Sequence, residues 1–233
     1  DTDRSRCRPE HVQQIFADLH WLGLSWEEPV RVQSEHFEDY RANIEALWKE
    51  GFVYPCFCSR KTARPHPGGR KDPDGNVHYA GTCRNLPQAE ALARIDERRP
   101  HGWRMNIEAC GQSDAAIWGD AVIARFINGS SYHIAVVTDD AIQGITHVIR
   151  GTDMEPATSI HRLLQRLLGY PSPAYFHHKL ILDDHGQKLS KSLNSTSLAH
   201  LRASGISAAE VRERLGFGKN QKSLAMPLFS QSP

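Results

Sequence analysis

The chain reads as an α/β protein in which a sheet domain is interrupted by an inserted β-rich subdomain and followed by a short helical C-terminus. Three observations predict this. Helical periodicity alternates with short apolar runs at both ends of the chain, the pattern of a layered α/β sheet. Trp103, Met105 and Ile107 alternate with polar residues, and Val122–Ile127 and Tyr132–Val137 flank Asn128-Gly129, a strong hairpin signal. Residues 56–84 carry three of the five cysteines and the run Pro65-His66-Pro67-Gly68-Gly69. They show no apolar period, so they cannot pack a core unaided.

With 233 residues, 39% hydrophobic and 24% charged, the chain is long enough to bury a core without disulfides and its composition is not that of a disordered protein. Its 17 glycines and 13 prolines exclude collagen-like and linker-like readings. No run of ~18 apolar residues occurs, so no membrane-spanning helix is expected. The odd cysteine count, with no signal-peptide pattern, points to a reducing, cytoplasmic setting. Basic and acidic residues number 28 and 27, a net charge of +1. Phosphate or nucleic-acid binding therefore needs a local patch, for which Arg60, Lys61, Arg64, Arg70 and Lys71 are candidates.

Taken in order, Val12, Ile15, Phe16, Leu19 and Leu22 predict a helix over 10–22 stopped by Gly23. Phe37, Tyr40, Ile44, Leu47 and Trp48 predict a second over 35–50, with Ser34 as cap and Gly51 as stop. Phe52-Val53-Tyr54 reads as a strand closed by Pro55. A helix is expected near 87–98 with Asn85 and Gln88 as a cap pair. Strands are expected at 103–107, 122–127, 132–137, 145–149 and 175–182. Ile160, Leu163, Leu164, Leu167 and Leu168 form one helical stripe ended by Gly169, and Ser207 with Glu210 makes a capping box in the tail. Cys7 and Cys110 read as small core residues.

Two motifs carry chemistry. Lys188-Leu189-Ser190-Lys191-Ser192 follows a glycine-containing turn at Asp183-Asp184-His185-Gly186. Two lysines place point charges on phosphate oxygens, and the hydroxyls and backbone N–H groups add donors, so this reads as a polyphosphate loop able to move as a lid. Cys56-x-Cys58 and Cys83 are soft ligands suited to zinc, which would also order residues 56–84. Chemistry alone favours His78, His66 or water as the fourth ligand, and three buried free cysteines would satisfy the same pattern. Tyr132 and Arg150, on the residues alone, read as a strand-packing aromatic and a salt-bridge partner.

Lys188–Ser192 resembles the KMSKS signature of class I aminoacyl-tRNA synthetases. Asp1-Thr2-Asp3-Arg4 resembles the end of the glutamyl branch's Arg-Ile-Glu-Asp-Thr-Asp strand. Tyr132–Asp140 resembles its Tyr-Asn-Leu-Ala-Val-Val-Val-Asp-Asp segment, and Arg150-Gly151-Thr152-Asp153-Met154 its Arg-Gly-x-Asp-Leu. Within that branch the chain is most similar to the glutamyl-Q tRNA(Asp) synthetase family, which lacks an anticodon-binding domain. The resemblance implies a Rossmann-type parallel sheet whose first part would precede Asp1. It divides the chain into the first part of the catalytic domain (1–54), a zinc-binding and connective insert (55–130), the second part with the lysine–serine loop (131–195) and a helical C-terminal segment (196–233).

The same resemblance implies that glutamate is activated with ATP and Mg²⁺ and transferred to queuosine in tRNA(Asp). It assigns Tyr132 and Arg150 to glutamate, Lys188, Ser190 and Lys191 to ATP with Lys191 catalytic, and Cys56, Cys58, Tyr79 and Cys83 to one zinc. A monomer is expected. The family's His-x-Gly-His signature does not occur between residues 1 and 233, and the expectation is that a preceding segment carries it. The rival readings are part of a glutamyl-tRNA synthetase that charges tRNA(Glu), and a non-catalytic synthetase-like binding module.

Overall fold

Leucine and isoleucine at helical spacing need a partner surface, and α5 (Ala157–Leu168) shows how the chain supplies one. Its Ile160, Leu163 and Leu164 are buried against Tyr40, Ile44 and Leu47 of α2 (Phe37–Lys49) and Ile134, Ala135 and Val137 of α4 (Tyr132–Ile142). The apolar stripe thus fixes which face each helix turns inward. Gly169 ends α5 in the left-handed conformation, at φ +69°, where a side chain would be strained.

The computed structural model describes residues 1–3, 7–59, 61–63, 65–126, 129–182, 189 and 197–217. It forms two compact units, Asp1–Arg4 with Val32–Ile181, and Ser5–Arg31 with Leu182–Pro233. In the first, β1 (Val53–Cys56), β2 (Gly102–Met105) and β3 (Val122–Ala124) make an antiparallel sheet in that order, with Tyr54 opposite Arg104 and Trp103 opposite Ala124. Between β1 and β2 lie the cysteine-rich loop and α3 (Gln88–Asp96). Downstream, β4 (His147–Gly151), α5 and β5 (Ala174–His178) form a β-α-β unit in which β4 and β5 pair in parallel, Arg150 opposite His177. The molecule is therefore a mixed α/β protein with a parallel strand pair. In the second unit, α1 (Pro9–Trp21), α6 (Leu198–Ala203) and α7 (Ala208–Arg214) are tied by Arg202 to Asp18 at 3.1 Å and Arg212 to the Leu22 carbonyl at 2.6 Å.

Several local expectations are corrected. Residues 132–137 are not a strand but the start of α4. The β-branched run favours a strand on propensity, yet Ile134, Ala135, Thr138 and Asp139 share a buried face at helical spacing, and packing overrides the preference. Thr138 Oγ1 donates back to the Ile134 carbonyl at 2.7 Å, and Ser131 Oγ ties the start of the helix to the Ile123 carbonyl at 2.6 Å. Ser34 does not cap α2: its backbone N–H and hydroxyl both donate to Asp1, and His36 is the residue before the helix. Pro87, not Asn85, precedes α3. Pro55 does not close β1 but lies within it opposite Trp103, as an edge strand allows. Cys7 is exposed, whereas Cys110 is buried as expected. The Ser207–Glu210 capping box is present on α7.

Candidate glutamate and metal sites

β4 carries Arg150 near its C-terminal end, and the first turn of α4 and the first two turns of α5 face it with Tyr132, His133, Thr158 and His161. The Arg150 guanidinium lies against the Tyr132 hydroxyl at 3.5 Å, meets His161 Nδ1 at 3.1 Å and donates to Thr158 Oγ1 at 2.7 Å. It also sits over the Tyr175 ring, 5.2 Å from the centroid. Thr158 Oγ1 in turn meets His177 Nε2 at 3.0 Å, and His161 Nε2 meets His133 Nδ1 at 3.1 Å. The His133 ring packs edge-on to Trp118, whose indole N–H donates to Ser159 and the Pro156 carbonyl. Among the described residues no carboxylate forms an ion pair with Arg150.

The electrostatics follow from that burial. Loss of hydration, reinforced by the nearby Arg150 charge, pulls the His133 imidazole down to about 4. Burial, the neighbouring His133 and Arg150 pull His161 down to about 2. Both rings are neutral at ordinary pH. Asp140 is pushed up to about 6 by burial and by Asp139, with Arg150 opposing. The guanidinium thus hydrogen-bonds only neutral groups, with Tyr132 exposed on the open side of the cluster. A cleft of about 580 Å³ adjoins it, walled by Thr158, Tyr175, His177, Arg162 and Glu155; Arg150 and Tyr132 are not on its wall.

The second cluster hangs from β1. The sulfurs of Cys56, Cys58 and Cys83 all lie within 4.8 Å of one another. The Tyr79 hydroxyl lies 3.2 Å from Cys58 Sγ and accepts the Cys83 backbone N–H at 3.1 Å. A bridge between Pro65 and Tyr79 brings Tyr79 back to the cysteines. The two histidines that chemistry favoured are turned elsewhere: His78 Nε2 bonds the Ile117 carbonyl at 2.8 Å, and His66 Nδ1 accepts from Gly68. Arg104 lies over the Tyr79 ring, 4.1 Å from its centroid. The proximity of Cys83, with burial, pushes the Cys56 thiol up, while the proximity of Cys56 and of the Tyr79 hydroxyl pulls Cys83 down. Three clustered sulfurs and a phenol oxygen form a donor set that fits a tetrahedral thiophilic ion.

Lys188, Ser190 and Lys191 lie outside the described residues, as do Arg60 and Arg64 of the basic patch. Sequence reasoning missed His133, Thr158, His161 and His177. A signal for two of them exists: Thr158, His161 and Gln165 fall at i, i+3 and i+7 on α5, a buried polar row beside the leucine stripe.

Residues 1–218 match the family model described as the catalytic domain of class I tRNA synthetases (E and Q). The chain belongs to that family. This synthetase domain is 42% identical over 241 residues to a protein of Rhodobacter capsulatus named glutamyl-Q tRNA(Asp) synthetase, covering 93% of the chain and 85% of that protein. It is 35% identical to one of the same name from Nitratidesulfovibrio vulgaris, covering 91% and 71%. The glutamate-tRNA synthetase of Elizabethkingia anophelis shares its fold with a TM-score of 0.65 at 24% identity, over 82% of the chain and 44% of the solved one. The synthetase domain thus spans less than half the length of that solved chain. Among its described residues no helix is long and apolar enough to cross a membrane.

Proposed function

We propose that the synthetase domain belongs to an enzyme that activates glutamate with ATP and Mg²⁺ and transfers it to the queuosine base at the wobble position of tRNA(Asp). The observation that carries this reading is the Arg150 guanidinium beside the Tyr132 hydroxyl, bonded only to neutral groups. A partly buried guanidinium that makes no ion pair among the described residues is matched by a carboxylate ligand, which it can hold through two parallel hydrogen bonds. The identity to two proteins named for this activity supports the choice of substrate and tRNA.

In this reading Arg150 and Tyr132 hold the side-chain carboxylate of glutamate. An oxygen of the α-carboxylate attacks the α-phosphorus of ATP in line, the bond to the bridging oxygen breaks, and pyrophosphate leaves. Catalysis is then positioning and charge stabilisation. Lys188 and Ser190 bind the nucleotide, and Lys191 neutralises charge on the departing pyrophosphate. A hydroxyl of the queuosine cyclopentenediol next attacks the activated carbonyl, forming the ester and releasing AMP. Cys56, Cys58, Tyr79 and Cys83 would hold one zinc, which supplies cross-linking of the loop rather than chemistry. Residues 55–130 then act as the inserted metal-binding and connective subdomain between catalytic parts 1–54 and 131–195, ahead of the helical segment 196–233. The protein works as a cytoplasmic monomer.

Glutamate-dependent ATP–pyrophosphate exchange by the intact protein tests the first step. Transfer of labelled glutamate to queuosine-containing tRNA(Asp), set against tRNA(Glu), tests the second. Charging of tRNA(Glu) instead would favour the glutamyl-tRNA synthetase reading, and no exchange at all would favour a binding module.

A further inference from the structure

Arg150 is a donor only, and that fixes the direction of every hydrogen bond behind it. Its Nη1 donates to His161 Nδ1, 3.1 Å away, so Nδ1 carries the lone pair and Nε2 carries the proton. Nε2 is 3.1 Å from His133 Nδ1, which must therefore accept. A one-way relay runs from the Arg150 guanidinium through His161 to His133. Its central ring is 1% exposed, on α5, while its ends sit on β4 and α4, so one imidazole locks three elements around the guanidinium. The other guanidinium nitrogen is held in parallel by Thr158. Arg150 Nε is buried without a hydrogen-bond partner, so the head of the side chain is positioned by these two acceptors and by the Tyr132 hydroxyl.

We propose that His161 is the positioning residue for Arg150: it aims the guanidinium at the substrate carboxylate, and His133 fixes the tautomer in which it can do so. This rests on the reading of Arg150 as the glutamate-binding cation. Two physical requirements support it. The acceptor beside the cation must be uncharged, because an imidazolium offers no lone pair and repels the guanidinium. Burial keeps both rings neutral. The acceptor must also be rigid, and His161 is held on both ring nitrogens. A long arginine left with its four side-chain torsions free would lose the orientation that makes two-point carboxylate recognition selective.

The test uses two substitutions in the intact protein. His161→Gln keeps one acceptor and one donor; His161→Leu keeps neither. Glutamate-dependent exchange separates the Michaelis constants for glutamate and ATP. His161→Leu is expected to raise the glutamate KM about tenfold or more, as misplacement of a binding group does, with the ATP KM unchanged. His161→Gln is expected to restore it to within about threefold of wild type. An unchanged glutamate KM in His161→Leu, or equal damage to both substrates in both variants, overturns the proposal. Should His161→Leu not fold, His133→Leu removes the tautomer-fixing partner and leaves His161 in place; about a threefold rise in glutamate KM alone is expected, and no change overturns the inference. A crystal structure of the His161 variant gives a readout independent of the activity. A guanidinium remaining within about 0.5 Å of its wild-type position overturns the positioning role even if the wild-type protein shows no glutamate activation.

Discussion

The Tyr54 phenol donates to the Asp120 carboxylate across 2.5 Å in the interior of the first unit. Asp120 is 2% exposed and gathers far more than this one bond. Arg84 Nε reaches the same oxygen at 2.9 Å, the Ile107 backbone N–H donates to the other, and Arg84 extends the pair to Glu108. Because Arg84 follows Cys83 directly, this network ties the cysteine-rich loop to the antiparallel sheet.

Asp120→Ala removes the carboxylate and leaves the Arg84 charge without its buried partner. A loss of about 3–5 kcal/mol is expected, the usual cost of breaking a buried pair from one side. Urea unfolding of the variant against wild type measures it. A loss indistinguishable from that of an exposed ion pair would show that the network carries no stability.

Metal removal should act on the same region. The intact protein is expected to hold one zinc per chain by elemental analysis, and Cys58→Ser or Cys83→Ser to lose it. Chelation is expected to lower the melting temperature and to open residues 56–84 to proteolysis while the core of α2, α4 and α5 persists. Full metal occupancy in both serine variants would remove these cysteines from the ligand set.

Arg150→Ala in the intact protein is expected to raise the glutamate KM by about a hundredfold, and Arg150→Lys to recover only part of it, since an ammonium cannot make the two-point contact. Lys191→Ala is expected to lower kcat for pyrophosphate exchange by at least about tenfold. Steady-state exchange assays distinguish the two effects.

Acid should destabilise the fold in a defined window. His133 and His161 bind a proton in the unfolded chain near 6.5 but in the folded chain only near 4 and 2. Between those values the unfolded state holds more protons, so stability is full above about pH 6.5 and falls as pH drops toward 4. Asp140, raised to about 6, works in the opposite sense over part of that range and offsets some of the loss. Unfolding free energy followed from pH 7.5 to 4.5 checks the sign, and His133→Gln should flatten the slope.

The legible part of the fold lay where periodicity and packing agree. α5 can be read directly, because its leucines repeat at helical spacing and Gly169 supplies the left-handed stop. α4 cannot, because the β-branched Ile134, Val136 and Val137 favour a strand and the helical state is decided by burial against α2 and α5, which no local window contains. Caps fared unevenly: the Ser207–Glu210 box is a self-contained local motif, whereas Ser34 is diverted by Asp1, distant in sequence. At the candidate site, Tyr132, Arg150 and the cysteines stood out as residue types in a pattern. His161 and His133 did not, since a histidine in a helix carries no local mark of what it faces across the interior.

The packing of Trp118 against His133 has a practical reach. The indole is one ring away from the relay that holds Arg150, and its emission responds to the charge and polarity of its immediate neighbours. Replacing the other four tryptophans would leave a chain whose intrinsic fluorescence reports, without any added dye, on any rearrangement of the side chains around Arg150.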